Sequence, residues 1–170
     1  MENNFAITID QTMFVPWYKR LLNLVIDIAA VFVIFALMGL VAVLLLFIGF
    51  PGMYDWFTSM DGLTDRVVTT LVFVLYMFLM ENFTQRSLGK FITGTMVVSE
   101  KGGKPSVKSF VTRALCRIIW LEMLSFIGAF PRGWHDTASN TYVVDRKKYM
   151  EALKTKNSIN EIGSESVYGL

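Results

Sequence analysis

Residues 21–50 form an unbroken apolar run whose only ionisable side chain is Asp27 and whose only amide is Asn23. Coiled as a helix, these thirty residues reach about 45 Å, against roughly 30 Å of hydrocarbon in a bilayer. Such a segment must tilt, bend or run past the lipid at one end. Gly49, Pro51 and Gly52 then stop it. A second apolar run, 67–80, is closed by Glu81 and Asn82, and counted out to Phe83 it is just long enough to cross. Charged residues make up 18% of the chain, where a soluble domain carries about 25%. Lipid is therefore the expected solvent, and the chain is expected to cross it at least twice.

The charges suggest an orientation. Lys19 and Arg20 precede the first run, and Arg86, Lys90, Lys101, Lys104 and Lys108 crowd the stretch after the second. The intervening 52–66 carries Asp55, Asp61 and Asp65 against Arg66 alone. Cationic flanks prefer the cytoplasm. Both basic blocks, and the segment 1–18, are thus expected inside, with the acidic loop outside. Within that first segment Phe5, Ile7 and Ile9 alternate with polar or small residues, which suits a short strand. Glu2 and Asp10 do not fit a secretory leader, so the first run is expected to remain as an anchor.

A third apolar stretch, 110–130, contains Arg113, Arg117 and Glu122. Each charge costs about 2.5–3.5 kcal/mol at the bilayer centre. Arg132, Arg146, Lys147, Lys148, Lys154 and Lys156 beyond it also favour the cytoplasm. Both facts favour an interfacial helix or a re-entrant pair of short helices over a third span. An internal echo points the same way: Thr95, Met96, Val97 and Val98 are followed by Lys101, and Thr141, Tyr142, Val143 and Val144 by Lys147. Both read as short strands, and if they pair they lie on one side of the membrane. From Glu151 the chain is polar, so 146–170 is expected to be a flexible tail after a helical turn or two. The expected architecture is an all-α integral membrane protein: helices near 20–50 and 66–83, a third helical segment near 108–130, and short cytoplasmic strands.

Arg20, Asn23 and Asp27 fall at i, i+3 and i+7, on one helix face. A carboxylate this deep must be paired, hydrated or protonated. Arg113 and Arg117, one turn apart, are candidate partners, and Glu81 lies at the same end. His135 beside Asp136 could relay protons, or be a surface aromatic next to a capping carboxylate. Asp136 and Lys90 each stand five residues before a strand, which favours a salt bridge between them. One cysteine, Cys116, and one histidine build no structural zinc site and no internal disulfide. Gly89-Lys90 lacks the earlier glycine and the following Ser or Thr of a phosphate loop. The basic blocks lack interleaved aromatics, so no nucleic-acid partner is expected. No cofactor, catalytic residue or enzymatic activity is expected either.

These residues carry a family resemblance. Arg20, Asp27 and Asp136 resemble the arginine and two aspartates that name the RDD family. Ser87-Leu88-Gly89-Lys90 leading to Gly94-Thr95 and Val97-Val98 is similar to its Gly-Lys segment, and Arg113 and Arg117 to its arginines. Trp134-His135-Asp136 before Thr141-Tyr142-Val143-Val144 resembles its closing pattern, so the likeness runs over about 17–144. One departure is Asn23, where many members carry a small residue such as alanine. The resemblance implies a multi-pass protein of the bacterial inner membrane with a poorly defined role in transport and no catalytic chemistry. Two functions follow. In the first, an oligomer moves a small solute or ion through a polar site, with Asp27 binding the cation or proton and Arg20, Glu81 and Arg117 tuning it. In the second, a membrane scaffold or accessory subunit of a larger complex uses the same ionic residues only to lock its helices.

Overall fold

The computed structural model describes residues 7–119, residue 125 and residues 132–168, the last of these over 160–168 by backbone alone. Two long helices dominate: α1, Trp17–Phe47, and α3, Gly62–Thr84, both long and apolar enough to cross a membrane. Pro16 starts α1, and Gly49, at a φ of 91°, provides the left-handed exit that a side chain would resist. The acidic connection, expected as a loop, contains α2, Gly52–Ser59, because Pro51 supplies its first turn and accepts from Asp55 N at 2.9 Å. Asp61 caps α3, accepting from Leu63 N at 3.3 Å.

Val31, Phe73 and Met77 bury at the α1–α3 contact, with Leu24, Ile28, Phe35 and Tyr76 packed around them. The outward faces carry Phe32, Leu37 and Leu44 on α1 and Leu71, Leu75 and Leu79 on α3, all exposed. Water would penalise so continuous an apolar surface, whereas lipid tails solvate it.

Gln85 ends α3 in the left-handed conformation, and Ser87 then caps the short helix α4, Leu88–Thr93. Strand β1, Thr95–Ser99, pairs antiparallel with β2, Thr141–Asp145, in the register Thr95↔Asp145 to Ser99↔Thr141. The two Thr-x-Val-Val segments thus form one sheet, and the chain leaving β1 returns beside it. Between them run α5, Val107–Cys116, capped by Ser106, and α6, Trp134–Ala138. The described part of the third apolar segment is therefore a helix ending at Cys116, short of the expected residue 130. Residues 120–124 and 126–131, including Glu122, lie outside the described residues.

Alternation gives the sheet two faces. Met96, Val98 and Val144 pack with Ile7, Met13 and Tyr149 in a small second core, while Thr95 and Thr141 face the helices. The strand expected near residues 5–10 is not formed over 7–10, and residues 5 and 6 lie outside the described residues. Its alternating Ile7 and Ile9 reach this core without pairing, and Phe14 further along bridges to Val144. The expected flexible tail is helical as α7, Arg146–Tyr168. Asp145 accepts from Lys147 N at 3.0 Å, and Tyr149, Ala152 and Leu153 make an apolar stripe at helical spacing that seats on the sheet.

Candidate functional site: a buried ionic cluster at one end of the helices

Arg20, Asn23 and Asp27 do share one face of α1, and all three are buried. Asp27, 1% exposed, accepts from Tyr76 Oη at 2.8 Å, Ser87 Oγ at 2.5 Å and Gly89 N at 2.8 Å. Its solvation shell is thus the open N-terminal end of α4 plus two hydroxyls, all uncharged. The expected pairing with Arg113 or Arg117 is not formed. Helix α4 occupies the place beside α1, and α5 packs against α3 instead.

The contact between α1 and α4 is backbone to backbone. A Cβ on Gly89 would lie 2.3 Å from the Asn23 carbonyl oxygen, so only glycine fits. The Asn23 amide fills the same seam. With its nitrogen 3.0 Å from the Gly89 carbonyl oxygen and its oxygen accepting from Thr95 Oγ1 at 3.1 Å, both of its ends are satisfied. An alanine at this position makes none of these bonds.

Glu81, on the last turn of α3, collects three cations: Lys90 Nζ at 2.5 Å, Arg113 Nε at 2.8 Å and Arg117 Nη2 at 3.0 Å. Asp136, on α6, accepts from Arg20 Nη1 at 2.6 Å, Arg113 Nη1 at 2.5 Å and Gly133 N at 3.1 Å, and His135 Nε2 stands 3.2 Å away. Arg113 bridges both carboxylates and also donates to Thr141 Oγ1 at 2.5 Å. Its planar fork can span two acceptors at once, which an ammonium cannot. The expected Lys90–Asp136 bridge is therefore corrected: Lys90 pairs with Glu81, nine residues before it, and Arg20 and Arg113 take Asp136.

Burial alone would raise the Asp136 carboxyl, but His135, Arg113 and Arg20 outweigh it and hold it well below the usual carboxylate range. Burial works against the Arg113 guanidinium, yet Glu81 and Asp136 win and raise it. Lys90 behaves differently. Burial pushes its ammonium below the usual lysine value; Glu81 pulls it back, and Arg117 and Arg113 add to the drop.

The structure brings nine of the ten expected residues together: Arg20, Asn23, Asp27, Glu81, Lys90, Arg113, Arg117, His135 and Asp136 are all buried in or beside one cluster. Glu122 lies outside the described residues. Attention to charge alone overlooked the neutral partners Tyr76, Ser87, Gly89, Thr95 and Thr141. Ser87 ahead of Leu-Gly-Lys, and a threonine opening each strand, were the signals available for three of them.

No curated protein and no solved structure gives a significant match to this chain. The sequence pattern described as the RDD family matches residues 14–140, which contains all nine of these charged and polar residues and most of the chain. The chain belongs to the RDD family, with two helices long and apolar enough to cross a membrane and a buried ionic cluster inside the matched residues.

Proposed function

We propose that this protein is a non-catalytic membrane scaffold or accessory subunit whose ionic cluster is a lock between helices. The observation that carries this reading is Arg113, fully buried and bonded to both Glu81 and Asp136. The charges of the cluster are consumed by one another: Arg20, Lys90, Arg113 and Arg117 share Glu81 and Asp136, four cations to two carboxylates. This surplus of positive charge opposes a further cation. The proposed setting is a bacterial inner membrane, with the cluster, both strands and the N-terminus on the cytoplasmic side, as the basic flanks favour. Helices α5 and α6 are proposed to lie on that same side, because they touch each other and β1 and β2 are paired. A larger membrane complex, or further copies of the chain, are the proposed partners.

One observation favours a second reading. Asp27 is held by neutral donors only, and the hydroxyls of Tyr76 and Ser87 can turn to accept instead. Such a carboxylate could exchange a proton or small cation during transport. Proton, Na⁺ and K⁺ fluxes into proteoliposomes separate the two. The lock requires the wild type and Asp27→Asn to match protein-free vesicles, with the variant less stable. A flux in the wild type that disappears in a folded Asp27→Asn overturns it.

A further inference from the structure

Away from the ionic cluster, a pocket of about 630 Å³ opens between the α3–α4 turn and the start of α7. Its wall carries four cations, Arg86, Arg146, Lys147 and Lys154, one carboxylate, Glu151, and the ring of Phe91. None of the four cations has a carboxylate within 4.0 Å among the described residues. A cleft whose lining carries a net positive charge concentrates anions.

Arg86 is fixed there rather than free to retreat. Its Nε donates to the Thr95 carbonyl at 3.0 Å and its Nη2 to those of Lys90 and Phe91 at 3.2 and 3.3 Å, while its guanidinium lies 4.2 Å over the Phe91 ring. Partial burial and the neighbouring Arg146 charge push this guanidinium below its usual value, a repulsion that a bound anion would relieve. The remaining wall comes from the exposed first turns of α7.

Depth in the membrane says which anion. Arg86 stands two residues past the end of α3. Phe83, Phe91 and Ile92 are exposed around it, and Trp17 and Tyr18 are exposed at the start of α1. Exposed aromatics with arginines at helix ends mark the headgroup level. Cations there attract anionic lipid, while the apolar rim suits acyl chains and not a freely diffusing ion.

We infer that this pocket binds the phosphate headgroup of an anionic phospholipid, held by Arg86, Arg146, Lys147 and Lys154 with Phe91 and Ile92 against its acyl chains. The test is lipid binding to the purified full chain, read by native mass spectrometry and thermal stabilisation, with phosphatidylglycerol, phosphatidylcholine and inorganic phosphate as probes. Phosphatidylglycerol should bind and stabilise far better than the other two. The variant Arg146→Gln/Lys147→Gln/Lys154→Gln removes three cations whose side chains make no hydrogen bond or ion pair among the described residues, and should weaken phosphatidylglycerol about a hundredfold. The control Lys101→Gln/Lys104→Gln/Lys108→Gln removes equal charge elsewhere and should bind as the wild type does. Should the triple variant not purify folded, Lys147→Gln/Lys154→Gln carries the test, with an expected loss of about thirtyfold. Equal binding of phosphatidylcholine, equal stabilisation by phosphate alone, undiminished binding by the pocket variants, or an equal loss in the control would each overturn the assignment.

Discussion

Gly89 rests on the backbone of Asn23 so closely that a methyl group at Gly89 would lie 2.3 Å from the Asn23 carbonyl oxygen and 2.7 Å from its Cα. This contact sets α4 against α1 and delivers the Gly89 amide to Asp27. Gly89→Ala should therefore cost about 3 kcal/mol, since the atoms it meets are backbone and cannot rotate away. Asp27→Asn keeps an oxygen for the Gly89 amide and should cost less, about 1–2 kcal/mol. Unfolding in a denaturing-detergent titration ranks the two, and the reverse order would refute the close-contact explanation.

Arg113 serves two carboxylates through different nitrogens, Nε to Glu81 and Nη1 to Asp136. Arg113→Lys retains the charge but not the fork. It should lose about 3–5 kcal/mol, close to the loss in Arg113→Gln, because either change leaves a buried carboxylate short of its partner. A lysine variant as stable as the wild type would mean that charge alone, not geometry, holds the cluster.

The pairing of Lys90 is open to a double-mutant cycle. Lys90→Met combined with Glu81→Gln should show a coupling of about 1.5 kcal/mol or more, as expected for groups in direct contact. Lys90→Met with Asp136→Asn should be nearer to additive, with a smaller coupling carried through the shared Arg113. Stronger coupling in the second pair would restore the Lys90–Asp136 bridge that the strand echo suggested.

Asp136 links the cluster to acidity. Its carboxyl is held well below the usual value in the folded protein, so the unfolded chain takes up its proton first as pH falls. Its contribution to stability is complete above the unfolded value of about 3.9 and is lost as pH drops through the lower folded value. Below about pH 3.5 the Asp136→Asn deficit should shrink. A deficit that grows as pH falls below that value would contradict this sign.

Much of this arrangement was readable in the residues, and the reason is physical. The two long helices announce themselves because lipid demands apolar length, and the i, i+3, i+7 spacing of Arg20, Asn23 and Asp27 is local to one helix. The strands were visible because the same Thr-x-Val-Val pattern occurs twice. Partner choice was not readable. Glu81, Lys90, Arg113 and Asp136 come from four different elements, and like charges compete for them in ways that only packing resolves. Asp27 misled because a carboxylate suggests a cation, whereas a hydroxyl pair and a helix end solvate it. The polar composition of α7 concealed the short apolar stripe of Tyr149, Ala152 and Leu153 that seats it.

A lock and a transport gate differ in whether α4 leaves α1 in the native state. Hydrogen exchange at the Gly89 and Lys90 amides, measured in lipid nanodiscs, reports that opening directly. The lock requires both amides to exchange as slowly as the best protected amides of α1 and to be indifferent to added Na⁺ or K⁺. Exchange through a local opening of much lower free energy, altered by either cation and lost in Asp27→Asn, would contradict it.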